Sequence, residues 1–181
     1  MCLSCSKKPF NTVYRHYADM AESTAEVIQE HHVTLLWRSV LQDAESHDWR
    51  HDKEFYEDER CSFAIQMFNL HMKSLQSDLW STCPPKQARN VYVHVLKEGM
   101  MFLAQRYAIV KPSYRRTKQV KFDVIATLMC VSELLLPCCR HVGHFLDATT
   151  NDDDIWSIHN SCCTLVAVMA VVCAPVDILY K

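Results

Sequence analysis

Cysteine and histidine are the residue types here whose spacing could do chemistry. Cys2-x-x-Cys5 has the spacing of half a zinc knuckle, but no second C-x-x-C follows it. The only set that could complete four ligands is Cys138, Cys139, His141 and His144. Against this stands the plainer reading of a loose terminus and a helix end. Cys2 and Cys5 beside Lys7 and Lys8 would equally suit S-acylation with a basic anchor. Cys139 near His141 pairs a thiol with a base, yet no third group orients them, as a nucleophile requires. Glu30-His31-His32 lacks the spacing of a zincin helix, so one histidine should lie on the helix face and one on the surface. Asp152-Asp153-Asp154 could hold a hard cation, but carboxylates at a helix start are favoured anyway by exposed N–H groups and the helix dipole. No G-x-S-x-G occurs, and no glycine flanks a serine. The expectation is a protein with no catalytic residue, no bound metal and no cofactor. A zinc protein or Cys/His enzyme around 138–144 is the alternative.

The elements that would carry these residues are helices. Apolar residues recur at three- and four-residue steps in five segments. The first spans about 11–42, its inner stripe being Val13, Tyr17, Met20, Thr24, Val27, Ile28, Leu35 and Val40. Residues 43–60 break the pattern with eight acids against three bases, Arg50, Lys53 and Arg60. That is an acidic, solvated connector, anchored by Trp49 and Phe55-Tyr56. The second helix, about 62–82, should face inward with Phe63, Met67, Leu70, Ser74 and Trp80, and stop at Cys83-Pro84-Pro85. The third, about 86–110, should bury Val91, Val95, Phe102, Leu103 and Tyr107, with Gly99 marking a close helix crossing. The fourth, about 114–141, should bury Val120, Val124, Leu128, Val131 and Leu135, with Pro137 kinking or ending it. The last runs from 155 to about 173. The run from Cys162 to Val176 is apolar except for Thr164, and at 15 residues it is short of the ~20 that span a bilayer. It therefore reads as a buried central helix, with a truncated membrane segment as the competing view. The resulting expectation is an all-α, up-and-down bundle of about five helices. It should form one helical domain over 1–181, a piece of a larger helical protein.

Composition narrows the field. Two glycines, Gly99 and Gly143, are too few for tight hairpins or phosphate-cradling loops, which argues against a β-sandwich, a Rossmann unit and a P-loop. Nineteen bases against 21 acids give a net charge of -2, so no nucleic-acid partner is expected. The ten cysteines include two adjacent pairs, Cys138-Cys139 and Cys162-Cys163, and several lie in apolar stretches where a free thiol packs as a small hydrophobe. With no apolar signal core near Met1, this reads as a cytoplasmic chain with reduced thiols, peripheral to membranes if it meets them.

One polar pattern stands apart. From Gly99 to Phe122 there is no acid, and Arg106, Lys111, Arg115, Arg116, Lys118 and Lys121 give six positive charges, with Tyr107 and Tyr114 interleaved. Lys111, Arg115, Lys118 and Lys121 are the candidate contacts to an anionic lipid surface or an acidic partner. The alternative is a solvated corner that offsets the acidic connector. Within the stretch, Arg106, Pro112, Ser113, Arg116, Gln119 and Asp123 form a candidate structural corner. Pro112 presets a helix start and Ser113 can cap it. Asp123 lies between Phe122 and Val124 on the same face as Gln119, and a carboxylate buried there needs a partner. Arg106 is the expected one.

Gln66-Met67, Leu79-Trp80, Cys83 to Lys86, Gln105-Arg106-Tyr107, Lys111 to Arg116 and Gln119 to Asp123 resemble the C-terminal region of the coiled-coil domain-containing protein 142 family and its large uncharacterised metazoan relatives. The resemblance covers about 61–136 and is most specific from Arg106 to Asp123. It implies no catalytic residue. More distantly, a long helix, a corner near a lysine and a helix bearing an aspartate are similar to the helical rods of vesicle-tethering subunits. The implied function is a non-enzymatic helical scaffold that recognises other proteins through helix faces, in membrane-traffic tethering.

Overall fold

The computed structural model describes residues 7–42, 49–50, 61–139 and 152–174. All regular structure among them is helical, in an all-α bundle. In chain order the elements are α1 (Lys7–Trp37), a π-helical turn (Arg38–Gln42), α2 (Phe63–Thr82), α3 (Pro85–Ile109), a 3₁₀ turn (Tyr114–Arg116), α4 (Thr117–Leu135), a 3₁₀ turn (Leu136–Cys138) and α5 (Asp153–Val172).

Local chemistry sets these boundaries. Cys83 is extended, and Pro85 opens α3 at its first position, where a missing N–H costs nothing. Pro137 sits in the 3₁₀ turn that closes α4, in keeping with the stop read from sequence. The Asp152 carboxylate accepts the Ile155 N–H at 3.3 Å and caps α5. Arg89 of α3 pairs with that same carboxylate, and its Nε donates to the Cys138 carbonyl at 3.0 Å. One guanidinium thus fastens the end of α4 to the start of α5. The aspartate run acts as a cap.

α3 is the central element. It packs against α1, α2 and most extensively α5, while α4 lies on α2 and α5. The dominant contacts are therefore between helices distant in the chain. Val91, Val95, Phe102, Leu103 and Tyr107 are all buried, as read from sequence. So are Tyr92, Val93, Leu96 and Met100, because α3 is covered on more than one face. Gly99 marks a close crossing, as read from sequence. A Cβ built there would stand 2.8 Å from Phe68 Cε2 and 3.1 Å from Leu36 Cδ1, so only glycine lets the helices meet at this distance. On α4, Val120, Val124, Val131 and Leu135 are buried and Leu128 is half-buried.

Three expectations are corrected. On α2 the buried residues are Ala64, Ile65, Phe68, Met72, Leu75 and Leu79, while Phe63, Leu70 and Ser74 are exposed and Met67 and Trp80 are half-buried, Trp80 packing edge-on against Tyr92. The core uses the opposite side of the helix, because α2 is apolar on two faces and periodicity cannot choose between them. On α1 only part of the stripe turns inward: Ile28 is half-buried against the core and Val40, in the turn after α1, is fully buried, while Leu36 is buried in place of the expected Leu35. Val13, Tyr17, Met20 and Val27 face outward. α5 is not a fully buried centre. It buries Ile155, Ile158, Cys162 and Leu165 along one face and leaves Trp156, Val166 and Val171 exposed. At 20 residues, with mean hydropathy 1.7 over its most apolar window, α5 is long and apolar enough to cross a bilayer by length and composition alone.

Candidate functional site

The polar corner is built where α3 ends, α4 begins and α2 begins. α4 carries Gln119 and Asp123 inward, one turn apart. The last turn of α3 carries Arg106 and Tyr107, also buried. The connection between them runs through Pro112 and Ser113. Ser113 donates its N–H to the Trp49 carbonyl at 2.7 Å, and its own carbonyl accepts from Arg116 N at 2.9 Å. The Ser113 hydroxyl makes no cap bond, so the expected side-chain cap is replaced by the backbone. Trp49 lies edge-on to Tyr107, ring centroids 6.4 Å apart, which fixes one point of the acidic connector. Residues 43–48 and 51–60 of that connector, Phe55 and Tyr56 among them, like Cys2, Cys5, His141 and His144, lie outside the described residues.

Asp123 is the hub. Its Oδ1 accepts the Ser62 backbone N–H at 2.6 Å and Gln119 Nε2 at 2.8 Å, and its Oδ2 accepts the Tyr107 hydroxyl at 2.6 Å. Thr127 donates to the Asp123 carbonyl at 2.7 Å. Ser62 is the N-cap of α2, so the carboxylate also stands at the positive end of that helix. Burial pushes the Asp123 carboxyl above the ordinary 3.8, and the donors from Tyr107, Ser62 and Gln119 pull against that rise. Burial, and then the neighbouring Asp123, drive the Tyr107 phenol well above its ordinary 10.0.

Arg106 is not the partner of Asp123. Its Nη1 donates to the Val40 carbonyl at 2.6 Å, in the π-helical turn that ends the first helix. Adjacent residues on α3 point about 100° apart, so Tyr107 reaches α4 while Arg106 reaches the end of α1. A cation there satisfies a terminal carbonyl and the negative end of the helix. The role of Tyr107 was legible in one respect, since a buried tyrosine needs a partner for its hydroxyl.

The six charges of the corner divide by burial. Arg106 and Arg116 are inside, whereas Lys111, Arg115, Lys118 and Lys121 are exposed. Beside them Ile109 is exposed, and Tyr114 is 92% exposed.

The other candidates take ordinary roles. Cys138 and Cys162 are buried with thiols pushed up to about 12 by burial, far from a reactive thiolate. His32 is half-buried and His31 exposed, one inside and one outside as expected. Among the described residues no group of three or more His, Cys, Asp and Glu is arranged to hold a metal. A cleft of about 410 Å³ between α1 and α3 is lined by Ala18, Ala21, Glu22, Glu26, Lys86 and their neighbours, with no histidine, cysteine or hydroxyl side chain in its lining.

Fold and corner together define an all-α helical module organised around a buried aspartate. By sequence the chain belongs to the family of a domain of unknown function, DUF4495, whose pattern matches residues 3–181. It is similar to the human uncharacterized protein KIAA0825, with 38% identity over 178 residues, covering 97% of this chain and 14% of the human protein. The chain thus spans a small part of the length of this relative. No solved structure matches it.

Proposed function

We propose that this chain is a non-catalytic interaction module that docks an amphipathic helix of another polypeptide on the outer face of α1. The supporting observation is the placement of Phe10, Val13, Tyr14, Tyr17 and Met20. All five are exposed, Tyr14 by 69% and Tyr17 by 67%. At about 100° per residue they share one face roughly 120° wide, the width of a core-facing stripe. Exposed apolar and aromatic side chains gathered on one helix face favour an interface there. The acids of α1, Asp19, Glu22, Glu26 and Glu30, lie on the other side of the helix, two of them in the cleft against α3, so this face offers only apolar and phenolic groups and is complementary to the apolar side of an amphipathic helix. In the finer form of this proposal the module is cytoplasmic and belongs to a membrane-traffic tether. Its support is the likeness to helical rods and to the coiled-coil domain-containing protein 142 family.

A photo-crosslinking residue placed at Tyr14 or Tyr17 in cells tests the proposal, with Ser81 on α2 as the control position. The expected product joins α1 to one amphipathic helical peptide and is missing from the control. Identical product spectra from Tyr14 and Ser81 would refute the assignment.

A second reading rests on Ile109 and Tyr114, exposed among Lys111, Arg115, Lys118 and Lys121, an arrangement suited to an anionic lipid surface. Flotation with anionic liposomes, comparing wild type with Arg115→Glu/Lys118→Glu, decides it. Equal flotation removes the corner as a membrane contact. Arg116 is unsuited to this test because it is buried.

A further inference from the structure

We propose that His32 of α1 and His71 of α2 form an open two-histidine site for a divalent transition-metal ion of the imidazole-preferring class, with zinc as the representative. His32 Nδ1 and His71 Nε2 face each other at 3.2 Å, across 39 residues of sequence. Two imidazole nitrogens on a tetrahedral zinc, each about 2.0–2.1 Å from the metal, sit about 3.3 Å apart. The observed gap is therefore already the edge of such a site. The ring centroids are 5.2 Å apart, and to share an ion the rings would turn so that both nitrogens aim at it rather than at each other.

Both rings are half-buried, held between α1 and α2 yet within reach of an ion from solvent. Asp78 of α2 lies close enough for its charge to act on His32, and that negative charge favours a cation there. His31 packs edge-on against His32 with centroids 5.3 Å apart and keeps one side of the pair polar. Because no third ligand closes the set among the described residues, water or a partner's side chain would fill the remaining positions. Such an ion would clip α1 to α2, just before Leu36 of α1 and Val40 of the following turn enter the core. Nitrogen ligands select zinc, nickel or copper over calcium and magnesium.

The test uses the full chain, kept reduced, with its imidazole nitrogens followed by NMR at pH 7.5 while zinc ion alone is added. His32 Nδ1 and His71 Nε2 are expected to shift together at one equivalent. His32→Gln and His71→Gln should each weaken this binding about 10²-fold, the loss of one arm of a chelate. Acidification to pH 5 should release the ion by protonating the rings. Zinc taken up by thiols is distinguished because it leaves the imidazoles unmoved. Unmoved imidazoles in the wild type, or equal affinity in wild type and His32→Gln, would show a hydrogen-bonded pair of rings and overturn the proposal. The wild-type measurement decides the matter even if His71→Gln does not fold.

Discussion

Replacing Asp123 with alanine strips three donors of their acceptor at once: the Ser62 N–H, the Gln119 amide and the Tyr107 hydroxyl. Tyr107 and Asp123 are fully buried, so water does not replace what is lost. Each orphaned buried group costs about 1–3 kcal/mol. Two effects return part of this sum: Gln119 can turn toward the surface, and the variant no longer buries a carboxyl. The net expectation is a loss of about 3–5 kcal/mol, the range for breaking a buried charged network. That is a large share of the roughly 5–15 kcal/mol that holds a domain folded. Asp123→Asn should behave differently. Its Oδ1 can still accept from Ser62 and Gln119, and its Nδ2 can donate to a Tyr107 hydroxyl that has turned from donor to acceptor. A loss of about 1 kcal/mol is expected there.

The pH dependence separates the two further. The folded-state pKa of Asp123 lies above 3.8, chiefly through burial. Its contribution is therefore full below 3.8 and declines as pH rises through the folded value, because the unfolded chain ionises first. The advantage of wild type over Asp123→Asn should be greatest in acid and narrow toward neutrality. Urea titration followed by circular dichroism, with the slope m unchanged, reads wild type and both variants. A loss under about 1 kcal/mol for Asp123→Ala, or equal losses for alanine and asparagine, would refute this account of the hub.

Other expectations follow from single contacts. Gly99→Ala gains about 1 kcal/mol of helix propensity but drives a methyl into Phe68 and Leu36, and thermal melts should show a net loss of about 1–2 kcal/mol; a stabilised variant would mean that α2 and α3 can separate freely. Arg89→Ala removes the bond to Cys138 and the partner of Asp152, so stability should fall by about 1 kcal/mol, with faster hydrogen exchange in the first turn of α5. His32 and His71 titrate below 6.5 in the folded state, so their contribution is full above 6.5 and is lost as pH falls through the folded values. In metal-free buffer, melts from pH 7.5 to 5 should decline more steeply for wild type than for His71→Gln.

The helices, their stops and the compositional class were legible from residue order alone. Pro85, Pro137 and Asp152 act over one turn, and Val91 to Tyr107 repeats at helical spacing whatever lies outside it. Residue order also singled out Gly99 and the stretch from Arg106 to Asp123, because a lone glycine in a helix and a carboxylate among apolar residues both demand a neighbour. Which neighbour was a matter for the tertiary structure alone. Arg106 and Tyr107 stand about 100° apart on one helix, and only the placement of α1 and α4 sends the first to Val40 and the second to Asp123. The buried side of α2 and the open face of α1 were decided in the same way. Periodicity shows that a helix has an apolar face, but only the packing of the other helices decides what covers it.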